Sequence, residues 1–338
     1  MALISADVVV DLQYGDCGKG KVVHSLASTL RYTHVMRFNG GSNAGHTIYH
    51  NGKKFVTHLV PAGVFYNTKS LVGGGCVIDV EKFNREISRL EEQGIPASKL
   101  TRVASNAHTV QKQHVEEEKS ETKIGTTRTG NGPAYRDKHA RTGKRAEQVE
   151  SLEAFMVDVY EELWTGKKDV NVLMEGAQGF GLDVDWGDYP YVSSSTCTVS
   201  AAINAGIPPQ NINRIIGVAK PYVTYVGAKK FAGSHPSLSK LQKIGQEYGA
   251  TTGRPRQCNW LNLSELIKAA NINGVTEIIF NKCDVFEEVG CFCLYENSSA
   301  NLSVFTTMHA FKKYLEDKLK ANCINLSEVV WSSSPHHI

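Results

Sequence analysis

The 338-residue sequence lacks any Cys-x-x-Cys pair, although it carries eight cysteines, at positions 17, 76, 197, 258, 283, 291, 293 and 323. That spacing excludes a zinc ribbon, and the cysteines read as reduced thiols used as small hydrophobes. Cys291-Phe292-Cys293 even lies within an apolar, strand-like run. No apolar run approaches the ~18 residues of a membrane span, so none is expected. The opening Met-Ala-Leu-Ile-Ser-Ala-Asp has no basic region ahead of its apolar residues, so no secretory signal is expected and the cytoplasm is the default compartment. There is also little excess of one charge: the formal net charge is +3. A general nucleic-acid surface is therefore excluded, and local basic clusters must account for any anionic ligand. Internal repeats, low-complexity tracts and a clear linker are absent as well. With 41% hydrophobic residues the core can be sizeable without disulfides or a structural metal, and one domain spanning 1–338 is expected.

What is present is an alternation of strand-like and helix-like segments. Val8-Val9-Val10 and Leu12 form a β-branched apolar run ending in the glycine-rich segment Gly15–Gly20, and Lys21 to Leu30 then reads as a helix. Strand, glycine loop and helix in that order open a nucleotide-binding α/β unit. Leu152, Phe155, Met156, Val159 and Leu163 share one helical face, and the strand 171–174 follows. Further strands are expected at 215–219 and 276–280, the second preceded by a helix over 263–270. This pattern argues for an α/β fold, a large and mostly parallel sheet with helices on both faces. The polar stretch 109–145, poor in large apolar residues, reads as a long excursion carrying binding loops that order with ligand.

Several motifs carry chemistry. Gly15-Asp16-Cys17-Gly18-Lys19-Gly20-Lys21 satisfies the Gly-x-x-x-x-Gly-Lys part of a phosphate loop, whose amides and lysines cradle phosphates at a helix N-terminus. Residue 22 is Val, where a P-loop ATPase needs a hydroxyl for Mg²⁺. Asp16, a carboxylate among phosphate-binding groups, is costly there unless it binds metal or takes a proton. A second glycine-rich loop, Gly40 to Thr47, ends in His46 among small residues that leave room for a ligand. Asn281-Lys282-Cys283-Asp284 is the Asn-Lys-x-Asp arrangement of GTP-binding proteins, in which the carboxylate accepts from guanine N1–H and the 2-amino group. Gly249 to Arg256 groups Thr251, Thr252, Arg254 and Arg256 around a turn, which suits a small dicarboxylate or a phosphate. Gly125-Thr126-Thr127 and Arg141 read as another anion site.

Together these pieces resemble one family, the adenylosuccinate synthetases, in matching order along most of the chain. The landmarks are Gln13–Lys21, Asn43–Thr47, Gly125–Thr127 with Gly132-Pro133-Ala134-Tyr135, Glu175-Gly176-Ala177-Gln178-Gly179, Tyr189-Pro190-Tyr191-Val192, Gly249–Arg256 and Asn281–Asp284. The resemblance implies a homodimeric, GTP- and Mg²⁺-dependent ligase that joins L-aspartate to C6 of a purine nucleoside monophosphate through a 6-phosphoryl intermediate. It assigns Asp16 as the base at purine N1 and a Mg²⁺ ligand, His46 as the acid beside the moving phosphoryl group, and Lys19 with Gln178 as holders of the 6-oxyanion. Gly15, Gly18, Gly20, Lys21, Gly45, Thr47, Lys282 and Asp284 would meet GTP, with the Gly45 carbonyl also on Mg²⁺. Asn43, Thr127, Ser193, Gln178 and Arg141, the last from the other subunit, would hold the acceptor nucleotide. Thr251, Thr252, Arg254 and Arg256 would hold aspartate.

The chain departs from the family at Cys17, which stands where cellular members carry Glu, at Arg128 and Thr129 in place of Gly-Arg, and at Ser193 in place of Thr. Pro255 and Gln257 thin an arginine run, and Ser334-Pro335 only loosely matches a Gly-Pro. The run Asp11-Leu12-Gln13, an aromatic and Gly15 resembles the short phage branch, the 2-aminoadenylosuccinate synthetases that aminate dGMP for 2-aminoadenine DNA, which would act in a host cytoplasm. dGMP is therefore the leading acceptor and IMP the alternative. A GTP-binding switch protein is the reading from another class; Val22 stands against it, because a switch needs a hydroxyl there for Mg²⁺.

Overall fold

Residues 3–249, 253–297, 301–334 and 338 are described by a computed structural model. The apolar run at the start forms the strand Leu3–Asp11, which lies inside a nine-stranded sheet. Across that sheet the strands run in the order Glu328–Trp331, Glu277–Phe280, Ile212–Ala219, Leu3–Asp11, Val170–Glu175, His34–Arg37, Lys69–Val72, Thr101–Ala104 and Met156–Val157. Every neighbouring pair is parallel. A parallel sheet must be covered on both faces, and the alternation of side chains shows how. Val8, Val10, Met36, Val172, Met174, Ile278 and Phe280 enter one hydrophobic cluster, while Val9, Val35, Leu173, Ile216, Val218 and Ile279 enter another on the opposite face.

Parallel strands bring their C-terminal ends to one edge, where ligands of open α/β sheets bind. Three charged residues terminate adjacent strands at that edge: Asp11, Glu175 and Arg37, with Glu175 and Arg37 paired in register. The expected helix after the glycine loop spans Lys19–Ala27, two residues early at its start, because Gly18 takes a left-handed conformation (φ 96°) and turns the chain into the helix there. Helices away from the edge are capped by side chains, Asp79, Asn262 and Thr307 each accepting an amide of the first turn.

One expectation requires correction. The apolar stripe from Leu152 to Leu163 is not one helix: Glu150–Phe155 is a 3₁₀ turn, Met156–Val157 is an edge strand on Val103–Ala104, and Val159–Trp164 is a new helix capped by Asp158. Sheet pairing at Met156 overrode the helical period there, and Asp158 restarted the helix. The stretch 109–145, expected to carry binding loops, holds the helices Lys112–Lys119 and Asn131–Ala140 around the connection 120–130. All eight cysteines are free thiols, seven of them buried. No helix among the described residues is long and apolar enough to cross a membrane.

Candidate functional site

The phosphate loop is shaped by a residue that the motif does not contain. Asp11, 1% exposed, accepts the amides of Gln13 (3.0 Å) and Gly15 (3.1 Å) on one oxygen, and the amide of Cys17 and Nζ of Lys19 (3.1 Å each) on the other. Four donors on one carboxylate fold the loop back over the strand end. Gly15 and Asp16 both take left-handed backbone conformations (φ 81° and 59°), the turn that brings the Gly15 and Cys17 amides onto Asp11. A Cβ on Gly18 would stand 2.7 Å from Nδ2 of Asn281, which donates to the Cys17 carbonyl at 2.8 Å. The Asn-Lys-x-Asp turn is thereby fastened to the phosphate loop. Cys17 itself turns inward, 1% exposed, with its thiol 3.0 Å from Oε1 of Gln13, and burial raises its pKa well above the ordinary thiol range.

Beside this loop, His46 opens the hairpin His46–His50/Lys53–Thr57 and packs so closely on the first helix that a Cβ on Gly20 would lie 2.7 Å from its own Cβ. Its Nδ1 is 2.5 Å from Oε1 of Glu175, and Nη2 of Arg37 lies 2.8 Å from the same oxygen and 3.1 Å from the ring nitrogen. Although burial alone would raise it, the Arg37 charge and the bond from His46 hold the Glu175 carboxyl down to about 2. Burial and Arg37 lower the imidazole to about 4, so His46 is neutral at physiological pH. The short contact is then Nδ1–H donating to Glu175, which leaves Nε2 as the ring's remaining polar atom. Lys19 is equally constrained, 4% exposed, with Nζ donating to the carbonyl of Gln178 at 2.5 Å as well as to Asp11. Lys21 donates to Oγ of Ser332 (2.7 Å) and the carbonyl of Ser334 (2.9 Å).

Across the cleft, Arg256 bridges two carboxylates: Nε is 3.0 Å from Oδ2 of Asp16, and Nη1 meets Oε2 of Glu247. Glu247 is wholly buried and also accepts from Nζ of Lys220 (3.1 Å) and the hydroxyl of Tyr222 (2.7 Å). Arg254 donates to the carbonyl of Gly125 at 3.1 Å, so the arginine-rich turn and the Gly125–Thr127 segment meet. Lys282, at φ 62°, sends Nζ to the carbonyl of Gly245 (2.9 Å), and Asp284 stands exposed in the first turn of the helix Cys283–Val289. Thr251 and Thr252 lie outside the described residues.

At the remaining end, Nε2 of Gln178 donates to Oδ1 of Asn43 at 3.2 Å, Oγ1 of Thr127 lies 3.0 Å from that of Thr129, and Oγ of Ser193 lies 3.4 Å from that of Ser195. One cleft of about 680 Å³, a size usual for small-molecule sites, is lined by Asp16, Lys19, Lys21, Asn43, His46, Thr47, Thr127, Gln178, Ser193, Arg254, Arg256, Lys282, Asp284 and the glycines 15, 18, 20 and 45. Arg141 is not among them. It is exposed at the C-terminal end of the helix Asn131–Ala140, whose N-terminal residues line the cleft, so ten residues of helix, roughly 15 Å, separate it from that wall. Val22 is fully buried among apolar neighbours, so no polar group occupies the position where a switch GTPase presents its hydroxyl.

Asp11, Arg37, Glu175, Lys220 and Glu247 are cleft-supporting residues to which motif reading assigns no role, although Asp11 and Glu175 stand within matched runs. For the first three a signal existed: each is a charge closing an apolar strand. For Lys220 and Glu247, 27 positions apart, no local pattern marks the pair.

The adenylosuccinate synthetase family model matches residues 8–170 and 146–314. The chain is 36% identical over 336 residues to the adenylosuccinate synthetase of Geobacillus kaustophilus, covering 83% of this chain and 78% of that protein. It is 38% identical over 339 residues to that of Syntrophomonas wolfei, covering 84% and 78%. Among solved structures, the fully ligated adenylosuccinate synthetase of Plasmodium falciparum superposes with a TM-score of 0.85 at 28% identity, over 98% of each chain. A cyanophage S-2L succinoaminodeoxyadenylate synthetase bound to dGMP, with dATP as energy donor, shares the fold at a TM-score of 0.76 and 23% identity, over 98% of this chain and 93% of that one.

Proposed function

The chain belongs to the adenylosuccinate synthetase family and is a carbon–nitrogen ligase of that type, and from this premise we propose that it joins L-aspartate to C6 of a 6-oxopurine nucleoside monophosphate with GTP as phosphoryl donor. The observation that carries this reading is the meeting of four parts in one cleft: the phosphate loop, His46, the Lys282–Asp284 turn and the Arg254/Arg256 pair. A phosphate loop and guanine turn would serve any GTPase. Arg256 set against the loop carboxylate, with Arg254 lining the same cleft, suits a condensation with a dicarboxylate.

In this reading Asp16 takes the N1 proton and negative charge moves to O6, which attacks the γ-phosphorus as its bond to the β,γ-bridging oxygen breaks and GDP leaves. Lys19 offsets that charge, and so does the amide of Gln178 once it leaves Asn43. His46, held by Glu175 through Nδ1–H, acts on the phosphoryl group from Nε2 once the incoming phosphates have drawn a proton onto that nitrogen, since only a protonated Nε2 can donate to an anionic oxygen. Arg256 leaves Asp16 for a carboxylate of the incoming aspartate while keeping Glu247, so binding of the amino acid releases the base. The aspartate amine then displaces phosphate at C6.

The residues fit a magnesium ion as well. No group of three or more His, Cys, Asp and Glu forms a protein cage among the described residues. Asp16 and the carbonyl-bearing Gly45 line the cleft, and Mg²⁺ is commonly held by one or two protein oxygens together with substrate phosphates. Bound there, it would supply charge neutralisation on the transferred phosphoryl group.

We take dGMP as the acceptor, on the changed residues Arg128, Thr129 and Ser193 around an otherwise retained site. The shared fold with a cyanophage enzyme bound to dGMP is compatible with that choice. IMP is the second reading, favoured by the 36–38% identity to adenylosuccinate synthetases. IMP, dIMP, GMP and dGMP, each incubated with aspartate and GTP, separate the two by product mass. Predominant 2-amino-2′-deoxyadenylosuccinate supports dGMP, predominant adenylosuccinate transfers the assignment to IMP, and GTP hydrolysis without a succinylated product overturns the ligase reaction proposed.

A further inference from the structure

The helix Asn131–Ala140 begins after Gly130 in a left-handed conformation (φ 77°), with no side-chain cap and no acidic residue in its first turn. Such a start leaves amides and the positive end of the helix dipole available to an anion. Asn131 and Gly132 face the cleft together with Asn43, Thr127, Ser193 and Ser194. The pieces are adjacent: Gly41, whose amide donates to Oδ1 of Asn43 at 3.2 Å, has Nδ2 of Asn131 2.9 Å from where its Cβ would be, and Oγ of Ser194 is 3.3 Å from the corresponding position at Gly132. Glu118 also lines this end, but one of its oxygens is held by the Gly130 amide at 2.6 Å.

Asn131 is the anomaly in this wall. It is 6% exposed, and neither its Oδ1 nor its Nδ2 has a hydrogen-bond partner. A buried amide with both polar atoms unpaired costs stability relative to an apolar residue of the same shape. No hydrogen bond holds its side chain, and the residue itself lines the cleft, so a turn about its side-chain bonds offers Nδ2 to a ligand there.

We propose that Asn131 is a binding residue for the acceptor's 5′-phosphate, donating Nδ2–H to a phosphate oxygen beside the free amides of its own helix. It makes the cleft select a nucleotide over the corresponding nucleoside. The inference rests on the acceptor being a purine nucleoside monophosphate, as proposed above. A neutral amide is suited to this place, because it can lie buried beside Glu118 without adding charge and still donate to an anion.

The test is calorimetric binding of dGMP and IMP, and of deoxyguanosine and inosine, with GDP present to fill the donor site. Asn131→Leu keeps the shape and removes both polar atoms. It is expected to weaken the monophosphate by roughly 10–100-fold, the weight of one charge-assisted hydrogen bond, to leave the nucleosides within about twofold, and to raise the melting temperature of the ligand-free protein. Asn131→Asp is helped at a helix N-terminus, so it should fold, and it should weaken the monophosphate more than Asn131→Leu through repulsion of phosphate. Unchanged monophosphate binding in both variants overturns the inference. Equal weakening of nucleotide and nucleoside also overturns it, and moves Asn131 to the base or sugar. If the unmodified protein binds a purine monophosphate yet forms no succinylated product, the proposed reaction falls while the role of Asn131 is still decided by these affinities; if it binds none, both fall.

Discussion

Asp16 occupies a left-handed turn of the glycine loop with its carboxylate against Arg256, an ion pair that offsets the cost of a carboxylate there, and the function proposed above makes it the base. Asp16→Asn removes the base while keeping the shape of the loop, so GTP should still bind and turnover should fall by roughly 10²–10⁴-fold. Steady-state rates alongside nucleotide titration check this, and near-normal turnover would remove Asp16 from the mechanism. Asp284 stands exposed at the mouth of the cleft, positioned to accept from a base that carries N1–H and a 2-amino group. Adenine offers neither, so ATP is expected to be worse than GTP by at least about tenfold, the weight of losing charged hydrogen bonds of roughly 1.5–3 kcal/mol each. Competition between the two donors measures it, and Asp284→Asn should erode the preference. Equal use of ATP by the unmodified protein would overturn the guanine assignment.

Between elements, the heaviest electrostatic demand falls on Glu247, which joins Lys220 at the end of the strand Ile212–Ala219 to Arg256 of the arginine turn. Although burial alone would raise it, these two cations hold the Glu247 carboxyl down to about 2. A depressed carboxyl contributes stability that is full above its unfolded value, about 4.5, and is lost as pH falls toward about 2. Glu247→Gln leaves both cations buried without a counter-charge, which should cost roughly 3–5 kcal/mol at neutral pH. Thermal melts from pH 7 to 3 should therefore show a large gap between variant and parent at neutral pH that narrows below about pH 4.5. A gap independent of pH would mean that Glu247 acts through packing alone. The elements themselves were legible wherever period and punctuation agreed: the expected strands 171–174, 215–219 and 276–280 fall on the observed strands Val170–Glu175, Ile212–Ala219 and Glu277–Phe280. Residues 152–163 misled because their 3.6-residue stripe is interrupted by a sheet edge, a partner contributed by Val103–Ala104 from fifty residues earlier.

For the whole molecule, Arg141 poses the sharpest question. It lies at the far end of the helix Asn131–Ala140 from the cleft of its own chain, so a role on the acceptor phosphate requires a second copy. We expect a homodimer in which Arg141 crosses over. Arg141→Leu and Asp16→Asn should each be nearly inactive, and mixing them should restore part of the activity, because the mixed dimer holds one site with Asp16 and Arg141 both intact. Failure to complement, with sedimentation showing that the two variants exchange subunits, would exclude Arg141 from the neighbouring site.

Sequence alone determined the parallel α/β architecture, since strand runs of period two or continuous apolarity alternate with glycine loops and helical faces, and such patterns leave few ways to bury both faces. It also singled out, within short motifs, residues that line one cleft, Asp16, Lys19, His46, Arg254, Arg256, Lys282 and Asp284, because glycine turns and charge spacing are local properties. Tertiary structure alone decided what holds them. Asp11, Arg37 and Glu175 are far apart in the chain and meet because adjacent parallel strands end at one edge. Lys220 and Glu247 form a buried pair that no spacing announces. The inward turn of Cys17, the distance of Arg141 and the unpaired amide of Asn131 were likewise decided by packing, because burial and hydrogen-bond partners depend on neighbours that only the folded chain supplies.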